Sequence, residues 1–470
     1  MIHQLVWQNK MEINLFFDKA TLLIKHLPEH LLSVLPEIKW DQRTREYRAP
    51  AYCYRNIVIT LRSQQEGYED NAKKFSPQNF KLIQNITPRP YQKEALETWQ
   101  KNGSQGVVVL PTGAGKTILA VMCIAQTQRP TLIHVPTIDL MHQWHDVLKK
   151  AFGLPIGLLG GGSNEIHPLT VTTYDSAILH VTHKGNLFGF QIFDECHHLP
   201  GARYQFAASG SIAPFRLGLT ATPERSDGKE HILYQLCGPL CFQRQIHELE
   251  GTTLSTYHVE TIEIEMDPEE REQYEAARKR YIDFLHDEHI FMNQSDGWSR
   301  FLQKTCQTPK GREAFKAYMT QKQLSQASRA KEEKIWTLVQ RHAGDRMIIF
   351  TQDNDMAYRI GRRFFWPVLT HNTKIKERTD FLEKFRNGAY SIMVTSKVLN
   401  EGVDVPEANV GIIVSGSGSI REHVQRLGRL LRPTKDKHAV LYELVSKNTG
   451  EYYINQRRRQ HSAYQKSRSV

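Results

Sequence analysis

Cysteine is scarce in this chain, and long apolar runs are missing. Six cysteines are spread over 470 residues. That dispersion argues against a disulfide framework and fits a reducing compartment. The closest pair, Cys237 and Cys241, has no second pair to complete a zinc or iron–sulfur set. No run of about 18 apolar residues occurs, which excludes a helical membrane span. Met1-Ile-His-Gln-Leu5 lacks a basic segment leading into an apolar run. We therefore expect no secretory signal, no membrane partner, and a cytoplasmic or nucleoid location. Internal repeats and low-complexity blocks are absent too.

What remains is a globular composition, 40% hydrophobic and 24% charged. The length exceeds what one core supports and suggests about three domains. A formal net charge of +11 favours polyanionic partners, although it identifies none by itself.

Residues 1–80 read as a first unit. Phe16 to Leu35 suggests a short helix and a proline-bounded loop, and Ala51 to Leu61 a loop leading into a strand. From about 85 to 245, short apolar strands alternate with helical patterns: Val107–Leu110, Thr131–Val135, Leu169–Thr173, Phe190–Phe193 and Phe215–Leu219. That alternation predicts a parallel sheet covered by helices on both faces. Tyr257–Met266 reads as a further strand. Residues 267–340 then turn helical with mixed charge, as an insertion would. Strands resume at Arg346–Phe350, Ser391–Thr395, Val410–Val414 and His438–Tyr442, before a basic tail over 451–470.

The stretch Val107-Val-Val-Leu-Pro-Thr-Gly-Ala-Gly-Lys-Thr-Ile118 reads as buried strand, glycine turn and helix start. Successive N–H groups of Thr112, Gly113, Ala114 and Gly115 would then converge on an anion. Lys116 would reach the outer phosphates of ATP, and Thr117 would hold Mg²⁺. Leu110 stands where the usual P-loop pattern has glycine. A second apolar strand ends in Ile192-Phe-Asp-Glu-Cys-His-His198. An acidic pair at the C-terminal edge of a parallel strand faces the ligand crevice. Asp194 there suits Mg²⁺, and Glu195 suits orientation or deprotonation of water. A zinc site on His197 and His198 is the weaker alternative, because adjacent strand residues point to opposite faces.

Arg89-Pro-Tyr-Gln92 precedes a helix. The Gln92 amide can donate and accept at once, which suits an adenine edge, and Arg89 or Tyr91 would stack on the base. Downstream, Gln425-Arg-Leu-Gly-Arg429 places Arg426 and Arg429 on one helical face. Paired guanidinium groups suit the γ-phosphate of a nucleotide. A solvated arginine face is the bland alternative.

Together these elements resemble superfamily-two helicases. Gln92, Gly113–Thr117, Asp194–His197, Thr220–Thr222, Asn400–Asp404 and Gln425–Arg429 fall in order at that group's Q, I, II, III, V and VI motifs. Val135–Thr137 with Gln143-Trp144, and Val171–Tyr174, match its Ia and Ib motifs. Within the group, Phe215–Gly228, Cys237–Leu240 and Gln425–Pro433 look like the XPB family, in its archaeal or bacterial form. The resemblance implies two RecA-like parallel-sheet domains in tandem, 81–248 and 249–450. It also implies a damage-recognition-like domain over 1–80 and a thumb-like insertion over 267–340.

The implied activity is an ATP- and Mg²⁺-dependent 3′-to-5′ DNA translocase or helicase of excision repair or transcription. A nuclease is a possible partner. Two lobes would share one ATP, with Gln425, Arg426 and Arg429 completing the site and Gly402 and Asp404 coupling or touching the ribose. Thr137, Thr173, Thr351, Thr395 and Ser396 are candidate contacts to duplex, forked or single-stranded DNA, or else helix caps. The family's Arg-Glu-Asp element, implicated in strand separation, reads Arg225-Ser226-Asp227 here. Losing the middle carboxylate leaves open whether the chain unwinds or mainly translocates. An RNA-dependent ATPase and a scaffold with a vestigial ATPase are the competing readings.

Overall fold

The computed structural model describes residues 12–224, 227–249, 257–294, 296–396, 408–415 and 439–459. The chain divides into two compact units, Met1–Arg244 and Gln245–Val470.

The first unit begins with β1 (Ile13–Asp18), β2 (Thr21–Lys25), β3 (Lys39–Asp41) and β4 (Glu46–Pro50), then α1 (Tyr54–Ser63) and β5 (Tyr68–Asp70). They form a five-stranded sheet in the order β3-β4-β2-β1-β5. Two expectations fail here. Phe16–Leu35 is not helical: it holds an antiparallel hairpin, pairing Asn14 with Lys25 and Asp18 with Thr21, and then a short 3-10 turn. The hairpin turns on Lys19 and Ala20, both at positive φ, 47° and 65°. Left-handed conformation at both central residues matches the twist of a tight hairpin. Ala51–Leu61 is likewise not a loop and strand. Tyr54, Ile57, Val58 and Leu61 are buried, the i, i+3, i+4, i+7 stripe of a helix.

Side chains fasten this small N-terminal sheet to the rest of the first unit. Arg55 Nη1 donates to the carbonyls of Gly103 and Pro214 at 2.6 and 2.9 Å, and Asn186 Nδ2 to Ala72 at 2.8 Å.

Next come α2 (Pro90–Lys101), β6 (Gln105–Val109), α3 (Lys116–Thr127), β7 (Thr131–Val135), α4 (Ile138–Phe152), β8 (Gly157–Gly160), β9 (Ser163–Asn164) and β10 (Leu169–Thr173). They are followed by α5 (Tyr174–Lys184), β11 (Phe190–Asp194), α6 (Gln205–Ser209), β12 (Phe215–Thr220), α7 (Glu230–Cys237) and β13 (Leu240–Gln243). The eight-stranded sheet runs β13-β6-β12-β11-β7-β10-β8-β9, parallel except for the β8–β9 edge. Every residue of β7, β10 and β11 is buried. Burial on both faces is what a helix-covered parallel sheet requires. β12 lies between β6 and β11, so the ends of the P-loop strand and the acidic strand flank Thr220.

The second unit opens with α8 (Ile246–Leu249) and β14 (Tyr257–Ile264). Four helices come next, α9 (Pro268–Asp287), α10 (Gly297–Gln307), α11 (Pro309–Gln326) and α12 (Arg329–Arg341). Tyr281, Phe284 and Phe301 form part of a separate helical core. Then come β15 (Met347–Phe350), α13 (Asn354–Phe364), β16 (Val368–Leu369), α14 (Ile375–Arg386), β17 (Ile392–Thr395), β18 (Val410–Ile413), β19 (Ala439–Ser446) and α15 (Gly450–Arg459). Their six-stranded sheet, β14-β19-β18-β15-β17-β16, is parallel throughout its described pairs. The architecture is two RecA-like α/β domains in tandem, the first carrying a small N-terminal domain and the second a helical insertion. No helix among the described residues is long and apolar enough to cross a membrane.

Candidate active site

The loop after β6 is held open by its glycines. Gly113 and Gly115 sit at φ 84° and 81°, the left-handed region that favours glycine. Gly115 is the N-cap of α3, and the Ala114 N–H donates to Pro111 O at 3.2 Å, closing the turn. Two residues of α2 brace this loop from behind. Tyr91 Oη donates to Ala114 O at 2.6 Å, and Gln92 Nε2 donates to Ala114 O and Gly115 O at 3.3 and 3.1 Å. Gln92 Oε1 accepts from the Arg89 N–H at 2.9 Å, and Arg89 Nη1 donates to Tyr91 Oη at 3.0 Å.

The Tyr91 ring is buried with its hydroxyl on the Ala114 carbonyl, and the Gln92 amide bonds the loop backbone, so both residues fix the loop from α2. Lys116 Nζ lies on the carbonyls of Leu110 and Pro111, at 3.2 and 3.5 Å, while Thr117 sits in the first turn of α3. The Thr112 hydroxyl is buried without a partner.

Across β12 stands the acidic pair. Asp194 ends β11, and its carboxylate accepts from Trp144 Nε1 at 2.8 Å and from the Glu195 N–H at 3.0 Å. Burial, with Glu195's charge second, pushes Asp194 up to about 6, and Lys116 pulls the other way. Glu195 occupies left-handed backbone, φ 48° and ψ 50°, costing about 1–2 kcal/mol for a residue with a Cβ. Such strain persists where surrounding structure imposes it and clusters at functional sites. Glu195 Oε2 is buried without a hydrogen-bond partner, 3.5 Å from His197 Nδ1. His197 Nδ1 lies 3.1 Å from Thr220 Oγ1, and Thr220 Oγ1 donates to Thr222 O at 3.0 Å. His197 is thus engaged with β12, not poised with His198 as a metal pair.

The remaining expected residues divide. Thr137 and Thr173 are N-caps, each hydroxyl accepting an N–H at 3.2 Å at the start of α4 or α5. Thr351, Thr395 and Ser396 lie at the ends of β15 and β17, fully buried. Thr351 Oγ1 donates to Asp353 O at 2.8 Å, and Ser396 Oγ to Asn354 Oδ1 at 2.7 Å. Asp227 Oδ1 accepts from the Lys229 N–H at 3.4 Å. Arg225, Gly402, Asp404, Gln425, Arg426 and Arg429 lie outside the described residues. The bonds of Trp144 and Tyr174 to Asp194 were not foreseen. A buried indole or phenol must find an acceptor, which was the one available signal.

Residues 15–72 match the family described as Xeroderma pigmentosum group B helicase damage recognition domain. Residues 85–225 match Type III restriction enzyme, res subunit, and residues 312–466 match ERCC3/RAD25/XPB C-terminal helicase. A protein of Sulfurisphaera tokodaii, described as DNA 3'-5' translocase XPB2, is 39% identical over 426 residues, 90% of this chain and 96% of that one. This chain belongs to the XPB family. A relative from Kineococcus radiotolerans, DNA 3'-5' helicase XPB, is 33% identical over 77% of this chain and 60% of its own. The Saccharomyces cerevisiae IIH helicase/translocase subunit XPB/SSL2 is 27% identical, over 79% of this XPB-family chain and 43% of its own length.

Proposed function

We infer that this XPB-family chain is an ATP-dependent DNA translocase that couples ATP hydrolysis to movement along, or opening of, duplex DNA, in repair or transcription. The observation that carries the hydrolytic half is the pairing of the braced loop with the Glu195 carboxylate, whose buried Oε2 makes no hydrogen bond and lies 3.5 Å from His197 Nδ1. Lys116 and the loop N–H groups bind phosphate, and the Glu195 carboxylate orients and deprotonates water. The DNA half rests on family membership and the 39% identity to a 3'-5' translocase.

The residues present fit nucleotide with Mg²⁺. The orphaned Thr112 hydroxyl and the buried Asp194 carboxylate, whose charged form burial disfavours, are groups that a phosphate and a dication would satisfy. Thr117 and Asp194 would hold the ion, which supplies charge neutralisation at the transferred phosphoryl. Within the chain, Gln92 and Tyr91 fix the loop, Lys116 moves from its carbonyls to phosphate, and Trp144 orients Asp194. Gln425, Arg426 and Arg429 are proposed to stabilise charge on that phosphoryl, and Gly402 and Asp404 to assist nucleotide or coupling.

The heads of α4 and α5, at Thr137 and Thr173, are the proposed DNA-backbone contacts of the first unit, and the strand ends marked by Thr351, Thr395 and Ser396 those of the second. Arg225 and Asp227 are assigned to strand separation. A nuclease acting on the opened DNA is the proposed protein partner. Comparing ATPase stimulation by single-stranded, duplex and forked DNA with stimulation by RNA tests this reading. Stimulation by DNA forms alone is expected; stimulation by RNA alone would replace it with an RNA-dependent ATPase.

A further inference from the structure

Asp194 is tethered twice, once from each of two helices, α4 and α5. Trp144 lies seven residues beyond the Thr137 cap of α4, about 10 Å along the helix at 1.5 Å per residue. Its indole is buried and donates to Asp194 Oδ2 at 2.8 Å. Tyr174 is the first residue of α5, directly after its cap Thr173. Its ring is buried too, and its hydroxyl donates to the main-chain carbonyl of Asp194 at 3.0 Å.

One helix therefore holds the side chain of Asp194 and the other holds its backbone. The donors come from residues 50 and 20 positions away in sequence. Both are rigid rings packed on all sides, with few rotamers through which to absorb a displacement. The second carboxylate oxygen is fixed by the Glu195 N–H, so Asp194 has no slack of its own. A shift of α4 or α5 would re-aim the carboxylate.

We propose that Trp144 and Tyr174 are positioning residues that tie the orientation of Asp194 to the placement of α4 and α5. DNA engaged at the heads of those helices thereby sets the hydrolytic competence of the nucleotide site, and nucleotide in return sets DNA affinity. The inference rests on the proposed function, in which those heads meet the DNA backbone.

The test uses the full chain with Trp144→Phe, which keeps an aromatic ring, and Tyr174→Phe, which removes a single oxygen. ATPase is measured with and without duplex DNA. Equilibrium affinity for a fluorescent ADP is measured across Mg²⁺ concentrations, again with and without duplex DNA. In each variant the ratio of DNA-stimulated to basal rate should fall about fivefold or more. The DNA-induced shift in ADP affinity should be lost, with nucleotide-free DNA binding retained. Equal losses of basal and stimulated rate, leaving the ratio at the wild-type value, would overturn the inference and leave a purely structural role. So would an unchanged ADP shift. A wild-type chain whose hydrolysis ignores DNA would overturn the functional reading itself, and this inference with it. Should Trp144→Phe fold poorly, Tyr174→Phe carries the same test alone.

Discussion

Gln92 and Gly115 are fitted to each other. The amide nitrogen donates to the Gly115 carbonyl at 3.1 Å, and a Cβ at Gly115 would meet that same nitrogen at 2.5 Å. The brace works only because residue 115 lacks a side chain and sits at φ 81°. Gln92→Ala should strand buried backbone groups, costing about 1–3 kcal/mol. If most of that falls on the loop, nucleotide affinity should drop about tenfold. Gly115→Ala should do at least as much damage by forcing the amide aside. Titration with a fluorescent nucleotide, alongside thermal unfolding, separates loss of the loop from loss of the fold.

His134 carries a pH dependence. It is buried in β7, stacked on Phe193 with centroids 4.6 Å apart, and burial first, then Arg216, lowers it to about 3. The unfolded chain protonates it near 6.5, while the folded chain keeps it neutral. Stability therefore falls as pH drops below that ordinary value. This residue should cost the wild type about 2 kcal/mol between pH 7 and pH 5. His134→Phe should flatten that limb in denaturant melts at several pH values. An unchanged slope would show that His134 is charged or exposed in the folded state.

The buried Lys331 pairs with the partly buried Glu451 at 2.7 Å, and the ammonium also donates to Val414 O at 2.8 Å. Lys331→Met removes the ammonium from Glu451 Oε2 and should cost about 3–5 kcal/mol. Lys331→Met with Glu451→Met should recover much of that loss. Chemical denaturation of the single and double variants checks it. A double variant no better than the single one would contradict the account of the pair.

The sheet strands and the glycine loop between β6 and α3 were legible because their signals are local. Runs such as Thr131–Val135 and Phe190–Asp194 are mostly apolar and buried on both faces, and the glycine turn between strand and helix is contiguous. The N-terminal domain was misread for equally local reasons. Lys19-Ala20 carries no glycine or asparagine to announce a tight hairpin. Ile57-Val-Ile-Thr60 is β-branched, yet it belongs to a helix because packing of Tyr54, Ile57, Val58 and Leu61 outweighs intrinsic preference. The acidic pair could be found from sequence, but the Trp144–Asp194 bond could not. It joins residues 50 apart and exists only once the sheet has formed.

Ser226 lies outside the described residues, and only the sequence marks it as the departure from Arg-Glu-Asp. Restoring a carboxylate with Ser226→Glu should raise strand separation more than ATP hydrolysis. Forked-duplex unwinding measured beside ATPase decides it. Equal scaling of both would count against a role for Arg225-Ser226-Asp227 in parting strands.

The most direct measurement is DNA-stimulated ATP hydrolysis by Lys116→Ala and Glu195→Gln. The account predicts a loss of about 100-fold or more in each, with Glu195→Gln still binding nucleotide. A wild-type rate in either variant would contradict the assignment of hydrolysis to this loop and this carboxylate.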